Sequence, residues 1–279
     1  MPELVTVLDG LAFPEGPRWH DGRLWFSDQH DRRVVATDAD GKSETVVDVP
    51  EQPSGLGWLP DGTLLVVSML DRKLMRYDGS ALALHADLSA LAPAPCNDMV
   101  VDARGRAYVG NFGYDMFGGG EYRTTNLVAV DPDGRAWEAA DDLAFPNGCV
   151  VTPNGRTLIV GESAGARLVA FDIEDDGTLT NRREWAQLQP LGATADGICL
   201  DAEGAVWIAD PLHNAVVRIA DGGEVLDRRT TEQGAFACEL GGDDGCTLFV
   251  CTYDAAASAS PEPKPIGRVE ATRVEVPRA

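Results

Sequence analysis

The phrase Phe13-Pro14-Glu15-Gly16 returns far downstream as Phe145-Pro146-Asn147-Gly148, with a carboxylate at its third place in one copy and an amide in the other. Four further segments read alike, and they put Ser54, Asn97, Asp196 and Ala237 at the same place. Four of these six side chains are strong oxygen donors: two carboxylates (Glu15, Asp196) and two amides (Asn97, Asn147). No His or Cys stands among them. Hard oxygen ligands suit Ca²⁺, Mg²⁺ or Mn²⁺ better than a closed zinc site. Two carboxylates gathered in one place repel each other unless a cation lies between them, so the set predicts a divalent-cation site.

Gathering residues so remote in sequence requires a repeated element. Each segment is an apolar strand, a Gly turn and a second apolar strand: Pro14 to Asp28, Pro53 to Ser68, Cys96 to Asn111, Pro146 to Glu162, Ala195 to Asp210 and, more weakly, Phe236 to Thr252. A third and usually a fourth strand-like run follow each, at a period of roughly 40 to 50 residues. Short strands joined by Asp-Gly and Asn-Gly turns predict antiparallel meanders. Sustained helical periodicity is missing, which excludes parallel βαβ architecture. The fold expected is an all-β, six-bladed propeller of four-stranded antiparallel blades, one domain over residues 1–279. The sixth unit has no clear outer strand, and the run Glu3 to Asp9 is expected to supply it and close the ring. First strands line the channel of a propeller, so the six equivalent residues form a ring at its mouth.

The loops joining second to third strands open on the same face. They carry His30, His213 and the segment Gly113 to Gly120, whose Tyr114, Asp115 and Phe117 stand among glycines in the manner of a substrate-covering lid. Residues 255–265 are rich in Ala, Ser and Pro and read as a second flap or a disordered excursion. His30 and His213 are candidate substrate contacts or acid-base groups, against the plainer reading of solvated loop histidines. Trp25 and Trp207 read as packing between blades. Gly118 to Gly120 make no phosphate loop, because no Lys-Ser/Thr follows.

Composition narrows the partners. A formal charge of −22 excludes the clustered Lys and Arg that nucleic acids require. No run approaches the roughly 18 apolar residues of a membrane span, and no basic-then-apolar leader opens the chain. A cytoplasmic protein acting on a small molecule, as a monomer or weak homo-oligomer, is expected. The six cysteines form no CxxC pair and read as buried free thiols.

The EGP-x-W near the start, the Asn97-Asp98 pair after a Pro-containing turn, the central Asn147-Gly148, and ADG-x-C-x-D followed by EG-x-x-W-x-A together resemble the SMP-30/gluconolactonase/LRE-like family, over nearly the whole chain and in the same order. The resemblance implies a six-bladed propeller with one divalent cation in the channel, Ca²⁺ foremost and Mg²⁺, Mn²⁺, Zn²⁺ or Fe²⁺ as alternatives. It implies Glu15, Asn147 and Asp196 as ligands, Asp196 also as general base, and Asn97 beside the metal or on the substrate. The activity implied is hydrolysis of a lactone or related ester. Pro95 stands where sugar-lactonase members often carry an Arg, and the loop around Tyr114 and Phe117 is less polar than a sugar pocket. Those departures leave open a ring-opening or isomerising step on a less polar substrate; a non-catalytic, cation-binding propeller is the third reading.

Overall fold

The computed structural model describes residues 3–38, 41–116, 118–258 and 264–279. Strand β1 (Val5–Leu11) precedes the first full blade, which comprises β2 (Pro14–His20), β3 (Arg23–Asp28), β4 (Arg33–Thr37) and β5 (Ser43–Asp48). Blade two is β6 (Pro53–Trp58), β7 (Leu64–Ser68), β8 (Lys73–Tyr77) and β9 (Leu82–Asp87). Blade three is β10 (Cys96–Val101), β11 (Ala107–Asn111), β12 (Thr125–Val130) and β13 (Ala136–Leu143). Blade four is β14 (Pro146–Val151), β15 (Thr157–Glu162), β16 (Arg167–Ile173) and β17 (Leu179–Gln187). Blade five is β18 (Ile198–Leu200), β19 (Val206–Asp210), β20 (Ala215–Ile219) and β21 (Val225–Thr230). Blade six is β22 (Gly234–Gly241), β23 (Thr247–Tyr253) and β24 (Gly267–Arg273), with β1 as its outer strand.

Every sheet is a four-stranded antiparallel meander, so the protein is a six-bladed β-propeller. The first hairpin shows why Asp-Gly recurs: Asp21 and Gly22 both have positive φ, 48° and 73°, as a tight turn between twisted antiparallel strands requires. β1 pairs antiparallel with β24, Val5 opposite Ala271 and Leu11 opposite Gly267. The strand lies two residues later than Glu3 to Asp9, because Leu11 is needed inside: it is buried with Phe26 of blade one and Phe249 of blade six.

The core is divided among the blade interfaces. Six apolar clusters each join two neighbouring blades, from Val34, Leu56 and Val66 between one and two to Leu24, Phe26, Phe249 and Cys251 between six and one. Trp207 is buried and Trp25 packs on the first interface, both as packing residues. Five cysteines are buried and all six are free. Among the described residues no helix is long and apolar enough to cross a membrane.

Near the axis the inner strands crowd. A Cβ on Gly148 would stand 2.4 Å from the Ile198 nitrogen and 2.7 Å from the Asp196 oxygen; on Gly55 it would stand 2.3 Å from the Met99 nitrogen. Such distances leave room for hydrogen alone. Backbone bonds then cross between blades, Gly148 N–H to Asp196 O at 3.1 Å and Gly197 N–H to Phe236 O at 2.8 Å.

Candidate metal centre

The inner strands are irregular where the sequence alignment sets the ring. Register shifts fall between Glu15 and Arg18, Pro53 and Leu56, Cys96 and Met99, Pro146 and Cys149, and Ala235 and Ala237. A bulge breaks the alternation of the strand and re-aims a side chain, in blades one, two and four beside a glycine that lets the next blade approach. Blade five does the same more abruptly: β18 begins only at Ile198, while Asp196 N–H bonds Ala209 O at 2.9 Å just ahead of it.

Asn147 and Asp196 meet directly. The Asn147 amide nitrogen donates to Asp196 Oδ1 at 2.5 Å and to Ser163 Oγ at 3.2 Å, and Ser163 Oγ donates to Ala195 O at 2.6 Å. Glu15 Oε2 accepts the Gly16 N–H at 3.0 Å. Burial raises the Glu15 carboxyl well above its ordinary range, and the charges of Asp196 and Asp98 raise it further. Asp196 is pushed up to about 8, chiefly by burial, with Asp98 and Asp210 adding to it and the Asn147 bond opposing it. Asn97 is buried, its amide nitrogen 3.4 Å from Pro146 O. Ser54 Oγ receives a 3.4 Å bond from Gln29.

Two channel residues escaped the sequence reading. Asp98 occupies the place that glycine holds in blades one, two, four and five, and its side chain is buried. Arg18 crosses to it, donating to Asp98 Oδ1 at 2.8 Å and to Met99 O at 2.5 Å. The replaced glycine was the available signal. Beyond this pair a cavity of about 270 Å³, lined by Arg18, Cys149, Glu239 and Arg278, lies towards the opposite face.

The remaining candidates lie on the loops around the mouth. His213 is about half exposed, with Nδ1 at 2.9 and 3.0 Å from the two oxygens of buried Asp210, which also accepts Thr194 Oγ1 at 2.8 Å. His30 stacks on Phe13 at 5.1 Å, and burial lowers its pKa. Tyr114 sets its ring edge-on to Tyr122 and Phe145. Exposed Asp115 accepts the Gly118 N–H at 2.8 Å, which holds its own turn. Phe117 and residues 259–263 of the 255–265 segment lie outside the described residues.

The donor chemistry fits a hard divalent cation. Glu15, Asp196 and Asn147 offer oxygen to a cation. Both carboxylates are part-buried, and Glu15 is raised by burial and then by the Asp196 and Asp98 charges more than the Arg18 charge lowers it. Among the described residues no three His, Cys, Asp or Glu side chains are grouped to hold a metal ion.

A propeller with oxygen donors converging on one channel mouth defines a class of proteins in which the inner-strand residues carry the chemistry and the blades carry the packing. Residues 13–254 match the model of the SMP-30/gluconolactonase/LRE-like region, and the chain belongs to that family. The pentonolactonase XacC of Haloferax volcanii is 27% identical over 251 residues, 85% of this chain and 80% of its own. The 6-deoxy-6-sulfogluconolactonase of Pseudomonas putida is 26% identical over 274 residues, 94% and 91% of the two chains. In fold, the chain superposes with a TM-score of 0.82 on the calcium-binding protein regucalcin from Agrobacterium tumefaciens, at 21% identity and covering 100% of this chain and 95% of the other.

Proposed function

We propose that the chain is a divalent-cation-dependent lactonase, hydrolysing a lactone or related ester at the channel mouth. The observation that carries the reading is the meeting of Asn147 with Asp196, beside a Glu15 carboxyl raised first by burial and then by the Asp196 charge. Two relatives named for lactone hydrolysis, aligned over most of the chain, support the reaction class. Glu15, Asn147 and Asp196 would hold the cation, with Ca²⁺ favoured by the all-oxygen set. Bound there, the cation would polarise the lactone carbonyl and acidify the attacking water.

The chain's own groups account for the remaining steps. The Asn147 amide nitrogen is committed to Asp196 and Ser163, which leaves its oxygen as the donor available to a cation. The same bond fixes one Asp196 oxygen and leaves the other to take the proton of the attacking water. Water adds to the carbonyl carbon, the ring C–O bond breaks, and the leaving oxygen takes up a proton to give a hydroxy acid. Asn97, whose amide nitrogen holds only a long bond to Pro146 O, is placed to donate to the oxygen that gains charge.

Turnover of a lactone panel and bound metal should be measured on wild type and Asp196→Ala together. The variant is expected to lose at least about a hundredfold in kcat, as the loss of a general base typically costs. Unchanged turnover in Asp196→Ala would sink the mechanism.

A further inference from the structure

We propose that the preferred substrate is a lactone bearing an apolar substituent, held between two aromatic clusters on opposite sides of the channel mouth. This deepens the lactonase reading and rests on it. The FPxG phrase sets a phenylalanine two residues before a ring donor in blade one and again in blade four, and blades one and four face each other across a six-bladed ring. Both phenylalanines are part-buried.

On one side Phe13 stacks with His30 and meets Phe236 and Tyr253 edge-on, with centroids at 4.9 and 5.0 Å. On the other, Phe145 stacks on Phe112 at 5.0 Å and meets Tyr114 at 6.3 Å, and Tyr122 lies 5.6 Å from Tyr114. Met69, Leu70 and Ala94 pack behind Phe112 and Phe145, which extends the apolar wall from blade four to blade two.

Phe145 holds a backbone φ of +61°, a left-handed conformation that a bulky side chain rarely takes. Such strain costs on the order of 1–3 kcal/mol and persists where the surroundings impose it, and Gln52 takes the same conformation, φ +67°, at the matching place before Pro53 of blade two. Here the carbonyl of Phe145 accepts the Ser163 N–H at 3.0 Å, from the residue whose hydroxyl bonds Asn147. The ring of Phe145 is therefore positioned by the same local network as the ring donor.

The polar groups of this face are mostly committed. Arg33 pairs with Asp28, Arg167 and Arg182 with Glu162, and Asp115 with its own turn. Arg123 stands exposed on the long loop. Beyond Tyr114 the apolar surface continues outward on Met116 and Tyr122, 40% and 47% exposed. A polyol would leave its hydroxyls unmatched against two aromatic walls, whereas an alkyl or aryl group gains from burial there. Ser163, Thr194 and the Asp210–His213 pair make the blade-five side the polar one, suited to the ester end.

The test uses the cation-loaded protein with δ-gluconolactone, γ-butyrolactone and γ-nonalactone. The pentyl group of the last should raise kcat/KM over γ-butyrolactone by at least about tenfold. Phe145→Leu and Tyr114→Ala should each narrow that ratio severalfold through KM; Tyr114→Ala, on a loop, guards against a folding defect at Phe145. Faster hydrolysis of δ-gluconolactone than of γ-nonalactone, or a ratio unmoved in both folded variants, overturns the apolar substrate while the lactonase reading stands. Absence of turnover on all three lactones sinks both.

Discussion

At the scale of single residues, the channel mouth is a problem in charge. Glu15 and Asp196 both sit above the ordinary carboxylate range, first because burial disfavours the ionised form and then because neighbouring carboxylates add their charge. The cation-free native state therefore keeps protons that the unfolded chain releases near pH ~4. Stability from these groups is complete below that pH and is lost as pH rises, for Asp196 as it climbs towards about 8. A bound cation replaces the protons and removes the loss. Burial lowers the pKa of His20, His30 and His85, which acts in the opposite direction as pH falls, so the difference between two melting curves isolates the channel. In excess chelator the melting temperature should fall between pH 5 and 8.5, and saturating Ca²⁺ should raise it most at the alkaline end. Melting curves in chelator and in Ca²⁺ that stay parallel across that range would refute the coupling. The sequence showed these residues because equivalent positions in a repeat can be superposed without coordinates. It did not show Asp98, whose meaning depends on Arg18 reaching it from 80 positions away.

At the scale of the element, the glycine of FPxG matters as much as the donor before it. The bulge that turns Asn147 towards the channel also brings β14 against the chain entering β18, and only hydrogen fits at Gly148. Gly148→Ala forces a Cβ to 2.4 Å from the Ile198 nitrogen, backbone that cannot step aside without moving Asp196 two residues earlier. The expected cost is about 1–3 kcal/mol or more. Gly155→Ala is the control: its φ is +69° and nothing lies within 4 Å, so it carries backbone strain alone. Thermal melts should place Gly148→Ala clearly below Gly155→Ala, with cation affinity weakened in the former only. Equal melting temperatures would mean that the inner strands have slack. Strand order was legible from turns and apolar runs, since hairpins are local. The three-residue length of β18 and the aromatic clusters were not, because both follow from how neighbouring blades crowd one another.

At the scale of the whole molecule, the ring is closed by a strand from the far end of the chain. β1 completes the sheet that β22 to β24 begin, so the link from Leu11 to Pro14 fastens blade six to blade one. The sixth interface depends on it: Leu11 is buried among Leu24, Phe26, Phe249 and Val269, and Val7 and Leu8 pack on the same cluster. Without β1, the ladder partners of β24 from Gly267 to Ala271 are left unpaired at an open edge, and unpaired backbone N–H and C=O groups are a template for association. Removing residues 1–11 should therefore affect more than one blade. Glu15 stands at the bulge of blade one and Ala237 is buried in the cluster that the strand completes, so loosening that interface is expected to move Glu15 relative to Asp196. The truncated chain should melt lower and less cooperatively, run partly as aggregates in size-exclusion chromatography, and bind Ca²⁺ more weakly in calorimetry. A truncated protein that is monodisperse, melts unchanged and binds Ca²⁺ as wild type does would show that the blade interfaces hold the ring without the clasp.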